Sequence, residues 1–205
     1  SRGLGDVYKR QMGEWLDIWN KDYLVNVKPR TLESYRCQIK NHIQPELGAV
    51  KMESLNAPTI QHFYNSLSKK GLAPKTVKII HGVLHEALRQ AVAVGYLRVN
   101  PSDSCTLPRI VKKQVKPLDD DAIREFLKEI HGHRFELLYL VTLFTGLREG
   151  EVLGLAWDRV DFDKGTLLID QQLQQAKDES GKRQYGLVSL KNDRWRRITP
   201  ADLVM

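Results

Sequence analysis

Cysteine is scarce in this 205-residue chain. Cys37 and Cys105 stand far apart and lack the spacing of metal ligands, so neither a disulfide framework nor a zinc knuckle organises it. They are expected as buried or incidental thiols of a reducing cytosol. No run of about 18 apolar residues exists, so no helix is expected to span a membrane. The start lacks the charged-then-apolar pattern of a secretory signal, which leaves a cytoplasmic location as the expectation. What is present is positive charge, and it is unevenly placed. Residues 1–117 hold 19 Lys+Arg against 9 Asp+Glu, a net of +10, whereas residues 118–205 hold 13 against 16, a net of −3. A basic part joined to a near-neutral part implies one region that grips a polyanion and another that acts more locally. An anionic membrane surface is the competing partner. It is disfavoured because the basic helices do not oppose a Lys/Arg face to a Trp/Leu face.

Residues 1–11 precede the first methionine, Met12, without apolar periodicity, and are expected to be a non-native or disordered leader. Helical spacing then begins with Trp15, Leu16, Ile18 and Trp19. After a break at Val27 to Thr31, with Thr31 as the expected cap, a second helix carries Leu32, Tyr35, Ile39 and Ile43, and Pro45 to Gly48 ends it. A third runs from Asn56-Ala57-Pro58 to Gly71. A fourth, longer one opens at Pro74, carries Val77, Ile80, Val83, Leu84, Ala87, Leu88 and Ala91, and stops at Gly95. Residues 12–100 are thus expected as a four-helix bundle. Residues 101–117, with Pro101, Pro108 and Pro117 and the run Lys112, Lys113, Lys116, read as a basic linker.

The second domain is expected from residue 118 onward. Asp119 caps a helix with Ile123, Phe126, Leu127 and Ile130 as its inner face, and Phe135 to Phe144 is apolar enough for a central buried helix. Strands are expected at Thr166–Asp170, Tyr185–Leu190 and Trp195–Thr199, with a polar loop over 177–184. Between helices and strands lies Thr145-Gly146-Leu147-Arg148-Glu149-Gly150-Glu151-Val152-Leu153-Gly154-Leu155. Gly146 suits a helix stop, and Glu149 and Glu151 suit the first turn of the next helix. Arg148 would stand at that helix start, where its guanidinium and free backbone N–H groups could both face a phosphate. The plainer alternative is an arginine that caps a loop or pairs with Glu151.

From Thr145 to Trp157 the pattern Thr-Gly-Leu-Arg-x-x-Glu-x-Leu-x-Leu-x-Trp resembles the first catalytic box of the tyrosine recombinases, the phage-integrase family. Asp158-Arg159-Val160-Asp161-Phe162 fits that family's continuation. The resemblance implies a mainly α protein: a four-helix, SAM-like core-binding domain, a basic linker, then a truncated α+β catalytic domain with a small antiparallel sheet. It implies double-stranded DNA at an attachment site as partner, a homo-oligomer (a tetramer on DNA) for the complete protein, and neither cofactor nor metal. Such enzymes break and rejoin strands through a 3′-phosphotyrosyl intermediate.

Carried over by position, the resemblance makes Arg148 the first catalytic arginine and Glu151 its orienting acid. Lys191 becomes the catalytic lysine, which can give a proton to the leaving oxygen. It lies in Ser189-Leu190-Lys191-Asn192-Asp193-Arg194-Trp195-Arg196-Arg197-Ile198-Thr199-Pro200, similar to the family's Pro-Lys-Thr-x-x-x-x-Arg-x-Ile-Pro region. The sequence departs from the pattern at Asn192, where threonine is common, and at Trp195; Arg194 is the nearest cationic neighbour. The plain alternative for Lys191 is a solvent-facing hairpin lysine. Arg36, Lys40, Lys75, Thr76 and Lys78 on the helices, with Lys112 and Lys113 in the linker, are the expected DNA contacts. The family's His-x-x-Arg box and nucleophilic tyrosine have no match at the expected positions, so the chain is expected to be a fragment.

His131-Gly132-His133-Arg134 spells His-x-x-Arg but precedes Arg148, and is taken as coincidence. His81 and His85 have a spacing that can bind zinc, with no third ligand in pattern. Asp158, Asp161 and Asp163 would fit a magnesium-dependent nuclease, or simply a turn. A shortened DNA-binding relative without strand transfer, a metal nuclease and a basic helical regulator therefore remain as alternatives.

Overall fold

A computed structural model of the chain describes residues 10–111, 114, 116–177, 182–190 and 194–200. The chain forms two compact units, residues 1–113 and 114–205.

The first unit is built from the periodicities above. Helix α1 (Met12–Ile18) runs on into a π turn at Trp19–Tyr23, and α2 (Pro29–Gln38) into a π turn at Ile39–Ile43 followed by the short α3 (Gln44–Leu47). Thr31 is not the cap of α2. Lys28 takes that place with Pro29 in the first turn, because proline has its φ preset and no N–H to satisfy there. Helix α4 (Ala57–Lys69) is capped by Asn56, whose Oδ1 accepts from the Thr59 N–H at 2.9 Å. Helix α5 (Pro74–Ala93) is the long central element. Trp15, Trp19, Ile43, Ile60, Tyr64, Ile80, Leu84 and Leu88 are all buried in one core, and Trp15 donates its indole N–H to the Ala87 carbonyl at 3.0 Å. That bond fixes α1 against α5 and satisfies a polar group that would otherwise be buried alone.

The unit is larger at both ends than the sequence suggests. Within the expected leader, Arg10 and Gln11 belong to the fold. Arg10 O accepts from Met52 N at 2.9 Å, Gln11 bridges to Lys51, and the Arg10 guanidinium lies 5.5 Å from the centre of the Tyr96 ring. Within the expected linker, residues 101–107 are packed onto the helices. Pro101 and Ser102 are buried, and Cys105 and Leu107 pack against the core. The Gln61 side chain both donates to and accepts from the Thr106 backbone, at 3.0 and 2.7 Å. Prolines there mark a tight path along a surface, not a free tether.

The second unit opens with α6 (Asp120–Ile130), capped by Asp119 through the Ala122 N–H at 2.9 Å. Helix α7 (Glu136–Thr145) and the short α8 (Glu149–Leu153) follow, joined through Gly146 in the left-handed region, φ 64°. Two antiparallel sheets follow. Strands β1 (Val160–Asp161), β2 (Thr166–Ile169) and β5 (Arg196–Ile198) form one in the order β1-β2-β5, while β3 (Gln171–Lys177) and β4 (Arg183–Ser189) form a separate hairpin. Gln171 to Lys177 is a strand that alternation could not reveal, since its glutamines offer no apolar period. Leu147, Leu167, Ile169 and Leu190 form the buried core.

Helix α7 is not the buried central helix its composition suggests. No residue of it is fully buried, and Leu137 is 60% and Phe144 40% exposed. An apolar sequence reports a capacity for burial, whereas coverage needs a neighbour on every face.

Strand β3 closes tightly on α8 because residue 154 is glycine. A β-carbon there would lie 2.7 Å from Leu173 N and 2.8 Å from the Gln172 carbonyl carbon, both backbone atoms. Gly154→Ala is therefore expected to destabilise the second unit by about 1–3 kcal/mol, the usual scale for overpacking. Urea unfolding, compared with Gly150→Ala where the nearest atom would be 3.0 Å away, checks this.

Candidate functional site: a buried carboxylate between two arginines

The turn at Gly146 delivers Leu147 into the core, 4% exposed, and so places Arg148 at the cap of α8 with extended backbone angles. One turn on, Glu151 points inward and is only 2% exposed. Its oxygens are fully engaged. Oε2 accepts from the Arg148 backbone N–H at 2.9 Å and from Arg196 Nη2 at 2.7 Å. Oε1 accepts from Arg148 Nη1 and Arg196 Nη1, each at 3.1 Å. Arg196 comes from β5, where it pairs in register with Ile169 of β2. The carboxyl of Glu151 is held down at about 2, chiefly by the paired Arg196 bonds and then by the backbone and side chain of Arg148, against the opposing pull of burial. Arg196 in turn is raised by Glu151.

The two arginines differ in exposure. The Arg148 side chain is 79% exposed and that of Arg196 38%. Arg148 is thus anchored by one Nη and its own N–H, while the rest of its guanidinium faces solvent. Such an arrangement presents a preoriented cation suited to a phosphate or carboxylate oxygen. Sequence reasoning brought Arg148 and Glu151 together and missed Arg196. The signal was the Arg-x-Ile-x-Pro spelling at Arg196 to Pro200, read for Lys191 and not for its own arginine.

Lys191, Lys112 and Lys113 lie outside the described residues. Arg36, Lys40, Lys75 and Lys78 are exposed on the helical unit and Thr76 half-exposed, its N–H bound to Ala73 O at 2.8 Å in the first turn of α5. Arg36 donates from Nε to Asn20 Oδ1 at 2.9 Å; Lys40, Lys75 and Lys78 form no ion pair among the described residues. Arg194 is exposed.

The remaining candidates have local partners. His81 Nδ1 sits 2.8 Å from the Tyr64 hydroxyl, and His85 Nε2 2.9 Å from Asp103 Oδ1. Burial pushes the Tyr64 hydroxyl up and the His81 imidazole down. His131 and Gly132 N bond the Glu136 carboxylate at 3.1 and 2.8 Å, and Arg134 lies over the Phe135 ring. Asp158 pairs with Arg159, and Asp161 accepts from Lys164 N and Nζ, as a turn requires. Among the described residues no group of three His, Cys, Asp or Glu is placed to hold a metal ion, and no helix is long and apolar enough to cross a membrane.

Residues 12–68 match the family described as phage integrase, N-terminal SAM-like domain. A tyrosine recombinase XerC-like protein of Caldanaerobacter subterraneus is 32% identical over 187 residues, which covers 85% of this chain and 47% of that protein. An integrase of Saccharopolyspora erythraea is 28% identical, covering 84% of this chain and 41% of its own length. The chain thus spans somewhat under half the length of these curated relatives. In fold it is similar to the Tn1549 transposon integrase in complex with a circular intermediate DNA. There the TM-score is 0.79 at 21% identity, covering 93% of this chain and 60% of that one. A lambda integrase dimer bound to a core site gives a TM-score of 0.67, also at 21% identity, over 89% and 50%. Residues 12–68 thus match the integrase SAM-like domain, and over most of its length the chain is similar to tyrosine recombinases and integrases.

The ionised Glu151 stabilises the folded second unit only while it stays charged. Its folded pKa, about 2, lies below its ordinary 4.5, so the contribution is complete above about pH 4.5 and is lost as pH falls toward 2. Thermal unfolding followed from pH 7 down to pH 2 is expected to show that loss. Glu151→Gln is expected to be less stable at pH 7 and flatter over the same window.

Proposed function

We propose that this chain supplies the DNA-binding region and the first catalytic elements of a site-specific DNA recombinase of the integrase type. The observation that carries this reading is the exposed, preoriented Arg148 guanidinium held at a helix start by a buried carboxylate. In a complete enzyme that arginine would stabilise the charge that develops on the scissile phosphate. Lys191, from the segment just before β5, would protonate the leaving 5′ oxygen. The nucleophilic tyrosine and the His-x-x-Arg box would come from sequence outside residues 1–205. The partner is double-stranded DNA carrying an attachment site. The complete protein would act as a tetramer on it without metal or cofactor, in the cytoplasm of a bacterial host. The basic half supplies most of the affinity: Arg36 and Lys40 on α2 and its π turn, Lys75, Thr76 and Lys78 at the start of α5, and Lys112 and Lys113 beyond.

Two outcomes test this. The double variant Lys75→Ala, Lys78→Ala is expected to weaken duplex binding evenly across sequences. It should also make the slope of log K against log salt shallower by about 2, since each phosphate that is no longer neutralised removes roughly 0.9 from it. Fluorescence anisotropy over a salt series reads it, and an unchanged slope removes α5 from the interface. Arg148→Ala is expected to leave duplex affinity within about threefold, because Arg148 is one of many cations that share the backbone. In a protein extended to include the tyrosine, it should abolish the SDS-resistant protein–DNA adduct. The 205-residue chain itself is expected to bind duplex DNA and form no such adduct. Adduct formation by it would overturn the assignment of the nucleophile to sequence outside it.

A further inference from the structure

We infer that Arg196 is a positioning residue that neutralises Glu151 and so leaves the positive charge of Arg148 available to a phosphate; this rests on the reading of Arg148 as a phosphate ligand. The geometry carries the argument. A pair consisting of Arg148 and Glu151 alone would be net neutral, and the buried carboxylate would hold the exposed guanidinium as its only counter-ion. The structure instead gives Glu151 a second guanidinium, from another element, that spans both its oxygens at 3.1 and 2.7 Å. Arg148 shares only Oε1 through its side chain, at 3.1 Å, and bonds Oε2 through its backbone. The triad therefore carries a net charge of +1, and exposure assigns that surplus to Arg148, 79% exposed against 38% for Arg196. A bidentate, partly sheltered pair is the strong partner; a singly bonded, solvated one is the weaker.

A second consequence is geometric. Arg196 sits on β5, three residues after Asp193, so the bond ties the strand that follows the Lys191 segment directly to the helix that carries Arg148. Through one carboxylate, the position of Arg148 becomes dependent on the register of β5 against β2.

Charge balance and simple bracing lead to opposite outcomes. If Arg196 only braced the fold, removing Glu151 as well would make matters worse. If it balances charge, removing both returns the net charge to +1 and restores phosphate binding. The test uses the 205-residue chain with 15N-labelled arginine, titrated with inorganic phosphate at constant ionic strength. The Arg148 Nε signal, assigned by its loss in Arg148→Ala, reports binding. Arg196→Gln is expected to weaken phosphate binding at Arg148 by roughly tenfold, as befits losing one charge at short range near the surface. Arg196→Lys, which keeps the charge without the fork, is expected to stay within about threefold of the parent. The double variant Arg196→Gln, Glu151→Gln is expected to recover to within about threefold of the parent. Circular dichroism establishes which variants fold; if Arg196→Gln does not, the lysine and double variants still decide the matter. Parent-like binding by folded Arg196→Gln, or a folded double variant that binds at least tenfold more weakly than the parent, overturns the inference. No phosphate response at Arg148 in the parent chain would instead overturn the phosphate-ligand reading on which it rests.

Discussion

A carboxylate that is 2% exposed is costly to bury in its charged form unless every lone pair finds a donor, and Glu151 finds four. The second unit is arranged to meet that requirement. Gly146, in a left-handed conformation, turns the chain so that Leu147 is buried and Arg148 begins α8. Gly154 lets β3 close against the end of that helix. The register of β5 on β2 sets Arg196 opposite Ile169. Neither glycine nor the strand register carries out chemistry, yet each is needed to bring three charged groups from two elements within hydrogen-bonding distance.

The two units solve stability differently. In the helical unit twenty buried residues form one cluster around α5, and the Trp15 indole inside it is satisfied by the Ala87 carbonyl. Among its described residues the second unit has one buried apolar cluster of four and a charged triad, with Leu137, Leu153, Trp157 and Phe162 all strongly exposed. A core so small leaves the ion-paired carboxylate with a larger share of the stabilisation than it would have in the helical unit. The same feature that presents Arg148 therefore helps to hold its scaffold together.

Much of this was legible in the residues. The spacing of Val77, Ile80, Leu84, Leu88 and their neighbours specifies α5, and the prolines and Asn56 specify where α4 and α5 begin, because these signals are local. Arg148 at a helix start and Glu151 one turn on are also local, so a single stretch places them together. What was illegible is non-local. The packing of residues 101–107 depends on Gln61, bonded to Thr106, and His85, paired with Asp103, which lie far away in sequence. The exposure of α7 depends on what covers it, which its own apolar composition cannot report. Arg196 reaches Glu151 across 45 positions through a strand pairing, and no periodicity encodes that distance. The glutamine-rich β3 lacks an apolar code altogether and is recognisable only from its partner β4.

Charge distribution adds a final constraint on how such a protein could handle DNA. The part carrying Arg148 is net negative, −3 over residues 118–205, so its overall field disfavours a polyanion at long range. Screening confines charge effects among exposed groups to about 8 Å at physiological salt. A phosphate brought close by the +10 segment would then feel chiefly the local triad. Under those conditions the useful quantity is the net charge of a few groups at the site. A neutral Arg148–Glu151 pair would supply none of it. On the proposed reading, binding strength can be spread over many cations, whereas charge at a reacting phosphate would be concentrated in one guanidinium whose partner is satisfied by another.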